Sequence, residues 1–338
     1  MEMNKYSPVF IVGSERSGTN LIRKRITEIQ DIYFGPSPAH FLKHLYYRQP
    51  LYGTLSEDDH FLDLISDALD LCYIHFSPWE IELDKNEVLN EYSTLFEERN
   101  VILLTHYLMM KYSYFKGYEC YICKDNFLYE FAYQIMLHLP NAKFIYLHRD
   151  PRDYALSQLK RSRMTNSLYK ISKLWQYEQI KSLALYNECK FKNIIKVSYE
   201  NFITNELGEL NNICNFLEVP MNNKRKDIPC LNTGSTEEWV NLNNETMTTN
   251  YNKYKKELNQ KQIRIIESIC WDELKLLGYT PENRVKPKIN KFVKYLDIIL
   301  GLAKSGFTKF KAPESQSEIY KKRSSFINKL SVNYRKPD

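Results

Sequence analysis

The sequence predicts an α/β fold: a central parallel sheet flanked by helices in three layers, with a helical insertion. Three observations predict it. Short β-branched apolar runs, Val9-Phe10-Ile11-Val12 first among them, have the length and composition of parallel strands buried on both faces. Segments of helical period follow them, the alternation from which βαβ units are built. Two of the strand-to-helix junctions also carry residues suited to holding anions.

The first element sets the pattern. Residues 8–23 read PVFIVGSERSGTNLIR. The apolar run stops at Gly13, a small polar loop spans Ser14 to Asn20, and Leu21, Ile22, Ile26 and Ile29 begin a helix. Strand, glycine-bounded loop and helix is how an α/β protein holds a phosphate. Loop and first-turn N–H groups converge on the anion, and the helix dipole favours its charge. Gly13-x-x-x-x-Gly18 has the spacing of a nucleoside-triphosphate loop, so the expected fold is of P-loop type. The Lys and Ser/Thr that such a loop needs next are here Thr19 and Asn20. The cation has moved to Arg16 and the metal-holding position is lost, so phosphate binding without magnesium is expected, and no metal site. A plain Gly/Ser turn would look the same in this stretch alone.

Residues 31–34 read as a short strand broken by Gly35-Pro36-Ser37-Pro38, and a helix starts within 39–45. Ser56-x-x-Asp59 resembles a capping box. Phe61, Leu64, Ile65, Ala68, Leu69 and Cys72 then line one helical face. Further helices are expected over 88–98 and 101–115. Residues 41–118 are thus a block of helices rich in Tyr and Phe. Such an insertion shapes an acceptor pocket, and core packing accounts for its aromatics equally well.

Residues 121–123 form another strand, leading to Lys124-Asp125-Asn126, and 128–138 form a helix. Residues 141–163, NAKFIYLHRDPRDYALSQLKRSR, repeat the logic of the first motif. A strand over 143–147 ends at His148-Arg149-Asp150-Pro151. Pro151 suits a first helical turn with Asp150 as its cap. Arg149 stands at the carboxyl end of its strand, where open α/β sheets place ligand contacts. Ser157 and Arg161 are four apart and share a helix face. A bidentate Arg, a hydroxyl and a second Arg suit a second phosphate.

A long helix over 168–190, a strand over 194–197 and a helix over 206–217 follow. Residues 221–252, rich in Asn, Thr and Lys, have no period and read as a loop; 260–277 is helical again. Beyond Pro287 an apolar stripe of Ile289, Phe292, Val293, Leu296 and Leu300 has Lys288, Lys291 and Lys294 off it. Either this helix docks on its own domain, or residues 288–304 meet a membrane surface or a partner. Residues 312–338 are polar and basic and are expected to be a mobile tail. The expected division is one domain over 1–285 and a basic C-terminal helix and tail over 286–338.

Taken together, RSGTN after the first strand and R-D-P-R-D-x-x-x-S after a later one resemble the phosphate motifs of the sulfotransferase superfamily. Its members take sulfate from 3′-phosphoadenosine-5′-phosphosulfate (PAPS) and release PAP. Cys123-Lys124-Asp125, LPNAKF at 139–144, VSYENF at 197–202, FLEVP at 216–220 and LGY at 277–279 look similar to the family too. Their order and spacing look most like the tyrosylprotein-sulfotransferase-like branch and its bacterial relatives. The resemblance runs over about residues 8–281, with 41–118 unmatched.

The resemblance implies transfer of the PAPS sulfuryl group to an acceptor hydroxyl without a metal. Ser17, Gly18, Thr19 and Asn20 would cradle the 5′-phosphate, and Arg16 would stabilise charge on the departing phosphate. Lys124 would contact the same phosphosulfate. Arg149 and Ser157 would grip the 3′-phosphate with Arg161, Tyr199 would lie near the adenosine, and the 221–252 loop, Trp239 included, would close over the donor. The family's bases are missing: the Glu of the tyrosylprotein branch falls at Ser37, and the His of the cytosolic branch at Asn126. His40 is the expected base, since its ordinary pKa suits proton abstraction near neutrality and a helix N-terminus keeps it neutral. His44 is the fallback, Asp125 an orienting carboxylate, and a structural histidine the plainer reading. Two readings lie outside sulfuryl transfer. A P-loop kinase-like phosphotransferase lacks its Lys and Ser/Thr after Gly18. A non-catalytic nucleotide-binding relative has no use for Arg16, Lys124, Arg149 and Ser157 together.

Composition narrows the class. The chain has 338 residues, 43% hydrophobic and 26% charged, which suits a soluble protein with one large domain. A net charge of +6 does not imply nucleic acid, but it attracts an anionic donor. The polar residues 1–7, the short first strand and the absence of an apolar run of about 18 residues predict neither a signal peptide nor a membrane span. Seven scattered cysteines read as reduced thiols, and the lone Cys120-x-x-Cys123 does not read as a zinc site. A cytoplasmic address follows. Twenty-six tyrosines beside many Asn, Lys and Ile look like an AT-rich, bacterial coding bias. That bias and family habit point to a carbohydrate or other cell-surface precursor as acceptor, with a small alcohol, a phenol or a peptide tyrosine as alternatives. Homodimerisation is left open.

Overall fold

Five strands make one parallel sheet: β1 (Val9–Gly13), β2 (Tyr33–Phe34), β3 (Cys120–Cys123), β4 (Lys143–His148) and β5 (Ile194–Ser198), in the order β2-β3-β1-β4-β5. The structure is a computed structural model and describes residues 5–75, 77–160, 166–189, 192–222, 224–226, 228, 245–309 and 314–332. Of residues 304–309, 314–317 and 331–332 only the backbone is described, and the expectations for Arg161 and Trp239 lie outside the described residues. The fold is the α/β arrangement the sequence predicts.

β1 sits at the centre, pairing Val9 with Ile122 of β3 on one side and with Lys143 of β4 on the other. The chain runs from β1 out to β2, returns at β3, then crosses to β4 and β5. The strand order therefore switches direction at β1, and the crevice beyond its carboxyl end is where such sheets bind ligands. The loops that follow β1, β3 and β4 all open there.

Helices α1 (Thr19–Glu28), α2 (Phe41–Leu45), α3 (Asp58–Tyr73), α4 (Lys85–Leu95) and α5 (Val101–Phe115) lie between β1 and β3, with a 3₁₀ turn over Tyr46–Tyr52. Packing accounts for most of the insertion's described aromatics: Phe41, Phe61, Trp79, Tyr92, Tyr107 and Tyr112 are buried, and Tyr46, Tyr52, Tyr73, Phe96, Tyr114 and Tyr118 are partly buried against the core. Trp79 stacks on Tyr112 at 4.5 Å between ring centroids. The Ser56 capping box does not form, because α3 starts one residue later than that box requires and its N-cap, Glu57, makes no side-chain hydrogen bond to the amides of the first turn. Helix α4 starts earlier than expected because Asp84 caps it, accepting from the Asn86 and Glu87 amides.

After β3 come a 3₁₀ turn (Leu128–Glu130), α6 (Ala132–His138), α7 (Pro151–Leu159) and α8 (Leu168–Glu188). Next are α9 (Tyr199–Thr204), α10 (Glu206–Leu217), α11 (Tyr254–Glu257) and α12 (Gln260–Leu276). The C-terminal segment adds α13 (Lys291–Lys309) and α14 (Glu314–Val332). Asp297 of α13 caps α8, accepting from Ser167 Oγ at 2.6 Å and the Tyr169 amide at 2.9 Å. On the opposite face Phe292, Tyr295, Leu296, Ile299 and Leu302 are exposed. The expected mobile tail is instead largely α14, whose Arg323 is buried. A polar helix that docks through a guanidinium leaves no hydropathy signal. Among the described residues, no helix is long and apolar enough to cross a membrane.

Candidate active site

The loop after β1 is shaped by close approach and strain. A Cβ on Gly13 would lie 2.4 Å from the Leu147 carbonyl, so glycine is required where β1 leaves the sheet beside β4. Arg16 (φ 67°) and Gly18 (φ 93°) adopt left-handed backbone, which costs a non-glycine residue free energy. Gly18 is the N-cap of α1 and has no side chain with which to cap its first turn. Ser17 is fully buried, and its Oγ has no hydrogen-bond partner among the described residues; the buried Asn20 Oδ1 has none there either. Strained backbone, uncapped amides and an orphaned hydroxyl together fit an anion. From below, Gln179 of α8 donates to Ser14 Oγ at 2.9 Å and accepts from Tyr146 Oη at 2.7 Å.

The junction after β4 forms as expected. Asp150 accepts from the Arg152 amide at 2.8 Å, and Pro151 occupies the first turn of α7. Arg152 is buried among Asp150, Glu267 and the Tyr254 ring, which fixes the motif. Arg149 donates to the carbonyls of Arg16 (2.8 Å) and Asn250 (3.2 Å). Its guanidinium lies 4.3 Å from the Tyr199 ring centroid, and its buried Nε has no partner among the described residues. Tyr199 accepts from Asn250 Nδ2 at 2.6 Å, and its ring lies so close to Gly18 that a Cβ there would sit 2.4 Å away. Arg16 Nε donates to Ser157 Oγ at 3.2 Å, which joins the first loop to α7. Arg16, Ser17, Gly18, Arg149, Ser157 and Tyr199 therefore meet in one place, with Thr19 and Asn20 at the start of α1.

At the end of β3, Lys124 donates to Asn126 Oδ1 at 2.9 Å, and Asn126 Nδ2 in turn donates to Glu15 of the first loop. His40, at φ 63° just before α2, donates its amide to Asp125 Oδ1 at 3.1 Å. Its Nδ1 lies 3.5 Å from the same oxygen and accepts from the Asn126 amide at 3.4 Å. Burial is the first cause of a His40 pKa well below the usual imidazole value, helped by Lys124 and Arg323, so the ring is neutral. Burial also raises Asp125 to about 6. His44 is held down to about 3, again mainly by burial. Ser37 serves structure: its hydroxyl donates to Ser77 Oγ at 2.8 Å, and its carbonyl accepts from Trp79 Nε1 at 3.1 Å.

The sequence of these motifs also matches a family model described as "Sulfotransferase family" over residues 8–223, more than half of the chain. The chain belongs to the sulfotransferase family. The sulfotransferase domain of the Synechococcus olefin synthase is similar in structure, at 18% identity over 80% of this chain and 97% of that one, with a TM-score of 0.49. A sulfotransferase domain from the curacin biosynthetic pathway gives 16%, 81%, 98% and 0.48 in the same terms. A mouse sulfotransferase complexed with PAP gives 13%, 80%, 85% and 0.42. No curated protein gives a significant match.

Four residues of this sulfotransferase's site escaped the sequence reading: Glu15, Gln179, Asn250 and Trp175, whose Nε1 donates to the Arg149 carbonyl at 3.2 Å. A signal existed for Gln179. Glu178, Gln179 and Ser182 are polar, yet lie on the buried face of α8, and polar groups there need partners.

Proposed function

We propose that this sulfotransferase moves the sulfuryl group of PAPS to an acceptor hydroxyl by in-line displacement, with His40 as base. The single observation behind the donor reading is the convergence of Arg16, Ser17 and Gly18 with Arg149, Ser157 and Tyr199, where a buried hydroxyl and a buried guanidinium nitrogen have no partner among the described residues. The first group would hold the 5′-phosphosulfate and the second the 3′-phosphate. As the acceptor oxygen bonds to sulfur, the S–O bond to the 5′-phosphate breaks, and its electron pair stays on that phosphate. Arg16 and Lys124 stabilise this charge. The acceptor proton passes to His40 Nε2. That role requires Nδ1 to carry a proton toward Asp125, and an ionised carboxylate favours this tautomer over the long contact with the Asn126 amide.

The acceptor in this reading is a hydroxyl of a carbohydrate or other cell-surface precursor. Its support is family habit and the bacterial look of the composition. Free thiols at the six described cysteines suit a reducing, cytoplasmic setting. Radiolabel transfer from [³⁵S]PAPS to a panel of oligosaccharides, phenols, alcohols and tyrosine peptides tests the proposal. Labelled oligosaccharide is expected. Labelling of tyrosine peptide alone would replace the acceptor class, and PAP binding with no label on any acceptor would favour a non-catalytic relative.

The outer face of α13 fits an anionic lipid surface. Phe292, Tyr295, Ile299 and Leu302 are more than half exposed, and Lys288 and Lys291 beside them supply the complementary charge. Cosedimentation of the full chain with phosphatidylglycerol vesicles, weakened by added salt and lost in a Phe292→Glu, Ile299→Glu variant, is expected. Dimerisation through the same residues without vesicle binding would overturn this assignment in favour of a second copy.

A further inference from the structure

The C-terminal helix reaches the proposed base through one side chain. Arg323 of α14 is only 7% exposed. It donates to the carbonyl of Ala39 at 2.8 Å, to that of Leu71 at 3.0 Å, and to that of Ile74. Leu71 and Ile74 close the C-terminal end of α3, where unpaired carbonyls favour a cation. Ala39 is buried and directly precedes His40. One guanidinium thus ties the end of α3 to the peptide that sets His40 in its left-handed conformation. On the far side of that residue, the His40 amide is held by Asp125.

We propose that Arg323 is a positioning residue for sulfuryl transfer, fixing the Ala39–His40 turn and placing a buried positive charge beside Asp125 and His40. This rests on the reading of His40 as base. Without Arg323 the Ala39 carbonyl loses this buried donor. The groups acting on His40 come from three elements: Lys43 and His44 on its own helix, Lys124 and Asp125 at the end of β3, and Arg323 on α14. The guanidinium disfavours protonation of both His40 and Asp125. Its loss therefore moves both titrations to higher pH.

The test uses the full chain labelled with [¹⁵N]histidine and saturated with PAP. Long-range NMR reads ring tautomer and titration, and His40→Ala identifies the His40 signals. In Arg323→Gln, the His40 ring signals are expected to shift and its midpoint to rise, while PAP affinity stays within about twofold of wild type. Arg323→Lys, which keeps the charge but not the fork, is expected to hold the midpoint near wild type while the ring signals still shift. Guanidinium ion is expected to restore the Gln variant in part. Unchanged His40 signals and midpoint in a folded Gln variant would overturn the proposal. So would a loss of PAP affinity equal to any loss of transfer, since that marks general damage. The base reading is tested separately, by sulfuryl transfer in His40→Ala. Full activity there would overturn that reading whatever Arg323 does to the ring.

Discussion

Arg149→Ala is expected to weaken PAP binding by roughly 2–5 kcal/mol, about thirtyfold to several thousandfold in Kd. The side chain does three things at once. It carries a buried Nε with no partner among the described residues, it ties the strained first loop by its bond to the Arg16 carbonyl, and it stacks on Tyr199. Truncation removes the charge expected to meet the 3′-phosphate and loosens the loop expected to meet the 5′-phosphate. Arg149→Lys keeps the charge but loses the planar fork and the stack, so an intermediate loss is expected. Calorimetric titration with PAP measures both variants, and thermal melts confirm that they fold. An alanine variant that binds PAP as tightly as wild type would show that the second motif does not hold the nucleotide.

His40→Ala is expected to lower the rate of sulfuryl transfer about 10²–10⁴-fold, the range for loss of a general base. PAP affinity should hold, because none of the described contacts of His40 involves Arg16, Ser17 or Arg149. The pH profile adds a second reading. The His40 ring is already neutral at its ordinary titration point, so it sets no acid limb there. Asp125, raised to about 6, is ionised above that pH, and in the proposed mechanism it then accepts the Nδ1 proton. Below about 6 it takes up a proton and releases the ring. Transfer is therefore expected to fall as pH drops through about 6. Asp125→Asn should lower transfer and abolish that limb. A full-rate His40→Ala enzyme would remove the histidine from the chemistry.

The strands and both strand-to-helix junctions were legible because their signals are local. Val9-Phe10-Ile11-Val12 announces a buried strand, and Asp150-Pro151 announces a helix start, whatever the rest of the chain does. Contacts between distant segments were not legible. The stack of Gly18, Tyr199 and Arg149 joins three segments, and Tyr199 was read only by family likeness. Arg323 reaches its carbonyls from a helix whose polar, aperiodic sequence resembles a tail. The Ser56 box failed for the opposite reason. The short-range pattern was present, but α3 starts one residue later than it requires.

Calorimetric titration of the full chain with PAP in the absence of metal, and separately with ATP and magnesium, tests the donor assignment most directly. Micromolar binding of PAP without metal, and no comparable binding of magnesium-ATP, is the expected result. Preference for magnesium-ATP would contradict it, since Thr19 and Asn20 stand where a triphosphate loop needs Lys and Ser/Thr, and would put a phosphotransferase in place of the sulfuryl-transfer mechanism.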